Sequence, residues 1–171
     1  MWVANHAHQL IAAVMSGILI GVAATDILDR RIPNIAVLSL LGLFVLWAAA
    51  DGGATLITGL AAGAIGVTIG YLLYVFGVMG AGDVKLFSAV ALFVGLGSLH
   101  LFALATALTG GVIALSSMIA RPRRALVMLT LRGKGDYGRG IPYGVAIAVG
   151  GLLVVWGSLT GTLPPDFLNR L

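Results

Sequence analysis

The chain has 171 residues, of which 60% are hydrophobic and 9% are charged, and its mean hydropathy is +1.08. Soluble domains carry about a quarter charged residues, so this composition excludes a soluble globular protein and indicates a polytopic membrane protein. The chain has no Cys, which excludes disulfides, a thiolate nucleophile and a Cys-based zinc site. The pI near 10 does not indicate a nucleic-acid partner, because the basic residues fall between the apolar segments.

The apolar segments predict a single all-α membrane domain over residues 1–171 with six transmembrane helices, because about 20 apolar residues cross a bilayer. The predicted spans are about 8–28, 32–50, 55–79, 84–98, 100–120 and 141–160. Residues 84–120 are divided at a weak break between Leu96 and His100, because one helix of that length would measure about 55 Å. The first helix leads into charged residues rather than a small-residue cleavage site, so we expect it to remain uncleaved.

The basic residues predict the orientation of these spans. Nine of the ten Lys and Arg residues fall in the loops after the first, third and fifth spans. The positive-inside rule places these loops, including 121–140, in the cytoplasm and both termini on the outer side. The apolar middle of the longest loop, 125–131, has basic flanks and predicts an interfacial helix on anionic lipid. Glycines four residues apart predict close packing of spans one, three and four. They are Gly17 and Gly21 in the first span, and Gly59, Gly63, Gly66 and Gly70 in the third.

Two acids lie at the predicted cytoplasmic ends of their spans. Asp26 lies near the end of the first span in ATDILDRRIPN, and Asp83 opens the fourth in GAGDVKLF. Acids at membrane depth are costly and usually mark a pathway or a chemical site. The structural alternatives are that Asp83 caps its helix and that Asp26 pairs with Arg30 four residues later. The helix dipoles suggest the hypothesis that Asp83 activates water and Asp26 holds the proton.

Together, the two acidic motifs resemble those of the type IV prepilin peptidases, which are membrane aspartyl proteases of the GxGD class. The resemblance extends over nearly the whole chain and rests on Asp26 and Pro33 around RRIPN, on Gly80, Gly82, Asp83 and Lys85 of GxGDxK, and on Pro142 and Gly144 of IPYG. It implies that Asp26 and Asp83 are the catalytic pair. It also implies an aspartic endopeptidase that removes the short basic leader from prepilins at the cytoplasmic face, without a metal or organic cofactor.

The resemblance also implies the setting of the reaction, namely the inner membrane of a bacterium and a prepilin as the partner. Larger members of the family carry a Cys-containing cytosolic domain that methylates the new N-terminus. This chain has about four residues between its first two spans and no Cys. It therefore resembles the short, peptidase-only branch linked to Flp/Tad-type pili, and methylation is expected to be absent. The sequence decides neither the particular pilin or pilin-like substrate nor the oligomeric state.

Supporting residues carry weaker predictions. Asp29 could attract a basic leader, and the alternative is a solvated loop acid. Lys85 could pair with Asp83, orient the substrate or extend to the interface, and we favour a local structural role. Pro33 is expected to start the second helix.

Three histidines, His6, His8 and His100, are predicted on the outer side, away from the acids, and their pattern does not indicate a metal site.

Other functions remain open at this point. The leading alternative is a small ion-coupled transporter or channel subunit that uses the intramembrane Asp residues. A further alternative is an assembly factor that keeps the fold without the chemistry. Within the enzyme class, the chain could be a GxGD protease that cuts remnant signal peptides, although such proteins are usually larger.

Overall fold

The computed structural model describes residues 2–120 and 142–163, and the secondary structure in this part of the chain is entirely helical. Its helices are α1 (Trp2–Asp29), α2 (Asn34–Ala50), α3 (Leu56–Val75), α4 (Ala81–Ala120) and α5 (Tyr143–Leu159). The all-α prediction is confirmed for these residues. The predicted loop 121–140, with its interfacial helix, lies outside them, as do Ile141 and the last eight residues.

Length and composition make three helical segments suitable for crossing a membrane: His6–Asp29, Leu56–Val75 and Ala81–Ser117. Two shorter apolar helices, Asn34–Ala50 and Tyr143–Leu159, accompany them. The predicted third span extended to residue 79, but α3 ends at Val75 and a turn follows, so that boundary was wrong. The bounds of α1 and α2 lie within a few residues of the prediction, except that α1 already begins at Trp2.

Helix α4 folds back on itself at Gly95, where φ is 72° and ψ is 170°. Glycine adopts this left-handed φ without the steric cost that a side chain would bring. The rings of Phe87 and Phe102 stack with their centroids 4.5 Å apart. A straight helix would separate these residues by about 22 Å along its axis, so the two halves of α4 form a hairpin. The division of residues 84–120 into two helices was therefore right, but the break lies at Gly95 rather than within 96–100.

The first half of α4 packs tightly against the glycine face of α3. A Cβ on Gly59 would lie 2.6 Å from the carbonyl oxygen of Leu92, and one on Gly70 would lie 2.7 Å from Val84. From Gly59 to Gly70 along α3, the contacting residue in α4 moves backwards from Leu92 to Val84, so the two helices are antiparallel. The predicted role of the α3 glycines in close helix packing is confirmed, because side chains there would separate the backbones.

Helix α1 has different partners from those predicted. It packs mainly against α5 and α2, whereas α4 packs against α3, α5 and α2. Gly17 and Gly21 are exposed, and a Cβ on either would meet nothing within 4 Å among the described residues. The expected packing of spans one, three and four through these two glycines was therefore wrong, because it is α5 that lies between α1 and the α4 hairpin.

At the end of α1 remote from Asp26, an aromatic cluster covers a histidine–aspartate contact. Nε2 of His8 lies 3.9 Å from Oδ2 of Asp51, and these side chains are only 13% and 18% exposed. The rings of His8 and Trp47 pack edge-on with their centroids 4.5 Å apart, and the centroids of the Trp47 and Phe93 rings are 5.6 Å apart. The backbone N–H of Gly53 donates a hydrogen bond of 3.2 Å to Asp51. This end of the bundle is therefore closed by packed rings and a partnered acid.

Candidate active site

Among the residues that the structure describes, Asp26 is the only charged one that is buried, and it is 6% exposed. It lies in the last turn of α1, whose apolar sequence places it against the neighbouring helices. Its Oδ2 atom is buried and has no hydrogen-bond partner among the described residues. Buried polar atoms are normally hydrogen-bonded, so an orphaned carboxylate oxygen indicates a site where a water molecule or a reacting group binds.

The Asp26 carboxyl group lies directly against α5 because α5 has a glycine at this point. A Cβ on Gly144 would lie 2.8 Å from Oδ2, 3.0 Å from Cγ and 3.2 Å from Cβ of Asp26. Any side chain there would displace the carboxyl group. Helix α5 begins at Tyr143 with Pro142 as its N-cap, so the IPYG segment places Gly144 in the first turn. The structure thus brings Gly144, predicted as a supporting residue, to the predicted catalytic Asp26, while Pro142 caps the helix that carries Gly144.

Asp83 lies in the first turn of α4 and accepts a hydrogen bond from the helix start. The backbone N–H of Gly80 donates to its Oδ2 at 3.2 Å, and the first helical bond runs from Val84 to the carbonyl of Gly80 at 3.1 Å. Gly80 is therefore the capping position, and Asp83 reaches back to it from the third helical position, as the acid of a capping box does. The alternative in which Asp83 itself is the N-cap is wrong in position, because the helix begins at Ala81.

The carboxyl groups of Asp26 and Asp83 are close enough to interact electrostatically. The prediction that the two acids meet at one end of the bundle is consistent with this interaction. Two acidic side chains, one with a buried oxygen that has no partner in the described part of the chain and one held by a backbone amide, occupy unlike environments. Carboxyl groups in unlike environments can divide the roles of acid and base between them. Which of the two holds the proton stays a hypothesis.

The alternative role of Asp26 in an ion pair with Arg30 loses its geometric basis. Helix α1 ends at Asp29, and Arg30 has a φ of 56°. A residue in this left-handed conformation commonly ends a helix, so the side chain of Arg30 no longer follows the helical i, i+4 spacing from Asp26.

The short connection between α1 and α2 packs over the start of α4. Ile32 lies against Gly82, where a Cβ would meet its Cβ at an ordinary 3.4 Å. Nζ of Lys85 donates to Oδ1 of Asn34 at 3.4 Å. This bond is consistent with the local structural role that we favoured for Lys85, which stays a prediction, and the ion pair with Asp83 is not formed within the described residues. Pro33 is the N-cap of α2 and not its first helical residue, which corrects its predicted position by one residue.

Beside this connection lies an open depression of about 630 Å³. Its lining consists of Thr25, Asp29, Arg31, Ile32, Pro33 and Asn34. The depression joins the predicted site residues Asp29 and Pro33 in one surface feature, next to the helical turn that carries Asp26. Sequence reasoning gave no site role to Thr25, Ile32 or Asn34. The signal available for all three was their closeness in the chain to Asp26 and Pro33.

The geometry defines a helical protein of membrane character with two interacting carboxyl groups at one end of its bundle. Residues 13–115 match the model of the type IV leader peptidase family. No curated protein and no solved structure matches the chain. The match spans more than half of the chain, which therefore belongs to the type IV leader peptidase family and is a protease. The matched residues include both acids and Lys85 but not Gly144, whose place beside Asp26 is known from the structure alone.

Proposed function

We propose that this protein is an aspartic endopeptidase of the bacterial inner membrane that removes the short basic leader from prepilins. Asp26 and Asp83 act as its catalytic pair. The observation that carries the proposal is the burial of the Asp26 carboxyl group, whose Oδ2 has no partner among the described residues, at the end of the bundle where Ile32 packs against Gly82 beside Asp83. Family membership supports a leader peptidase in general.

In the proposed reaction, one carboxylate takes a proton from a water molecule whose oxygen attacks the carbonyl carbon of the scissile amide. The other carboxyl group gives a proton to the leaving nitrogen, so the peptide bond breaks and the pair is restored after proton exchange. The close contact with Gly144 would fix the position of the Asp26 carboxyl group relative to the attacking water. The residues from Gly80 to Gly82 carry no side chain larger than a methyl group, so an extended peptide can approach Asp83.

The topology that we propose for this enzyme has six spans, with the two halves of α4 as separate crossings. Both termini lie on the outer side, and both acids lie at the cytoplasmic ends of their helices. The substrate would be an Flp-type prepilin or a pilin-like protein. N-methylation would not follow cleavage, because α1 and α2 are joined by residues 30–33 alone and the chain has no Cys.

The test is co-expression with an Flp-type prepilin, with pilin size read by gel and by mass spectrometry. Wild type should release the leader and leave an unmethylated N-terminus. Asp26→Asn and Asp83→Asn should each reduce cleavage by about 10²- to 10⁴-fold, the usual range for loss of a general acid or base.

Expression of each variant in the membrane, measured by immunoblot, is the control for folding. Cleavage that survives either substitution would contradict the catalytic pair. Ion flux that depends on the aspartates, without any cleavage, would favour the alternative of a small ion-coupled transporter or channel subunit.

A further inference from the structure

The depression at the junction of α1 and α2 has the polar lining expected of a peptide-binding surface. It contains one acid, Asp29, and one base, Arg31, together with the polar side chains of Thr25 and Asn34. Asp29 and Arg31 are both exposed, and the structure shows no ion pair between them within the described part of the chain. The carboxylate of Asp29 can therefore accept a positively charged group from outside the protein.

The position of Asp29 relates this depression to the catalytic pair. Asp29 is the last residue of α1 and follows Asp26 by three residues, which places it about 4.5 Å further along the helix axis and on a neighbouring face. An extended peptide advances about 3.3 Å per residue. A peptide whose scissile bond lies at Asp26 would thus bring a side chain one or two residues away to Asp29.

The direction of the peptide follows from the direction of α1. In the proposed topology, α1 ends at the cytoplasmic face, so Asp29 lies nearer the cytoplasm than Asp26. The hydrophobic part of a prepilin enters the membrane after the cleaved bond, and its leader stays in the cytoplasm. The side chain that reaches Asp29 would therefore come from the leader side of the bond.

We propose that Asp29 is a specificity residue that binds a Lys or Arg side chain of the leader, one or two residues before the cleaved bond. This inference rests on the proposed function, and it names the group on the protein that reads the charge of the substrate. Asp29 and Arg31 are the charged residues that line the depression, so a positive side chain of the leader would bind at Asp29 and be repelled at Arg31. This pairing of charges therefore selects the position of the positive charge.

The experiment exchanges charges between enzyme and substrate. Wild type, Asp29→Asn and Asp29→Lys are co-expressed with prepilins in which each of the last three leader residues before the bond is set in turn to Lys, Gln or Glu. We expect wild type to prefer Lys at one of these positions by about fivefold, as is typical of an exposed ion pair. Asp29→Asn should lose this preference, and Asp29→Lys should reverse it in favour of Glu at the same position.

Asp51→Asn is the matched control, because it removes the same charge at the opposite end of the bundle. It should keep the wild-type preference at every position. An unchanged preference in both Asp29 variants would overturn the inference and make Asp29 a solvated loop acid. An equal fall for all leaders would also overturn it, because that result indicates a structural role. If wild type cleaves none of the prepilins, that result contradicts the proposed function itself. It can be told apart from an unchanged preference and from an equal fall for all leaders, because both of those require cleavage by wild type.

Discussion

The two ends of the helical bundle each hold an acid, and the two acids have opposite surroundings. At one end, Asp51 faces His8 at 3.9 Å and accepts the N–H of Gly53, beneath a cluster of aromatic rings. At the other end, Asp26 is more deeply buried, yet its Oδ2 has no partner among the described residues and faces a glycine. A partnered acid stabilises a structure, whereas a buried acid left without a partner costs stability. This difference indicates that the reactive site lies at the end of the bundle that holds Asp26.

The largest effect on this contrast between the two ends is expected from a side chain at Gly144, next to Asp26. Gly144→Ala places a methyl group 2.8 Å from Oδ2 and 3.0 Å from Cγ of Asp26, so the carboxyl group must move as a whole. A displacement of about 1 Å can cost about 100-fold in rate, and we expect at least that loss of leader cleavage. The measurement is the rate of leader cleavage in membranes that contain equal amounts of enzyme.

The control for Gly144→Ala is Gly17→Ala, a substitution in α1 where a methyl group meets nothing within 4 Å among the described residues. This variant should cleave at the wild-type rate and be slightly more stable, because Ala favours a helix over Gly by up to about 1 kcal/mol. Wild-type activity of Gly144→Ala would show that the contact with Asp26 does not matter to catalysis.

A smaller effect is expected at Asp83, where only the tip of the side chain is crowded. Gly80→Ala places a methyl group 2.9 Å from Oδ2 but 3.8 Å from Cγ, so the carboxylate can rotate away and lose its hydrogen bond from the Gly80 amide. Loss of such a bond costs about 1.5 kcal/mol, and we expect cleavage to fall about tenfold. The rate should be compared with that of Gly82→Ala.

Gly82→Ala is informative because its methyl group meets only Ile32, at an ordinary 3.4 Å. We expect this variant to be less impaired than Gly80→Ala. The reverse order would mean that the substrate backbone occupies the space beside Gly82, and that the bond from the Gly80 amide contributes little.

The smallest effect is expected at the partnered acid. Asp51→Asn keeps a side-chain oxygen for the N–H of Gly53 and loses only its charge towards His8. An ion pair of this kind contributes about 0–1 kcal/mol, so the melting temperature in detergent should fall slightly while cleavage stays within about twofold of wild type. A large loss of cleavage would contradict the assignment of chemistry to one end alone.

Much of the fold could be predicted because apolar runs of helical length have few alternatives in a bilayer. The number of crossings then fixed which helix ends share a side, so the meeting of Asp26 and Asp83 could be expected from the chain alone. The exact position of the turn within α4 could not be predicted, because the sequence allows a turn at either Gly95 or Gly97. In the structure, Gly95 is distinguished by its left-handed φ of 72°.

The contact between Gly144 and Asp26 shows the limit of the sequence argument. The resemblance of IPYG to a family motif suggested a supporting role, but the two residues are far apart in the chain and no pattern links them. Their contact depends on α5 packing against α1, whereas the glycine spacing had suggested α3 and α4 as the partners of α1. Glycine spacing shows that another helix can pack closely against this one, but it does not identify which helix does so.

The fold-back at Gly95 also has a consequence for how the protein is made. The first half of α4, residues 81–94, is about 21 Å long at 1.5 Å per residue, and is therefore shorter than a typical hydrocarbon core. In the proposed topology, this half would be too short for a stable crossing of its own. The two halves of α4 would therefore enter the lipid together as one hairpin, after residues beyond Gly95 have been synthesised.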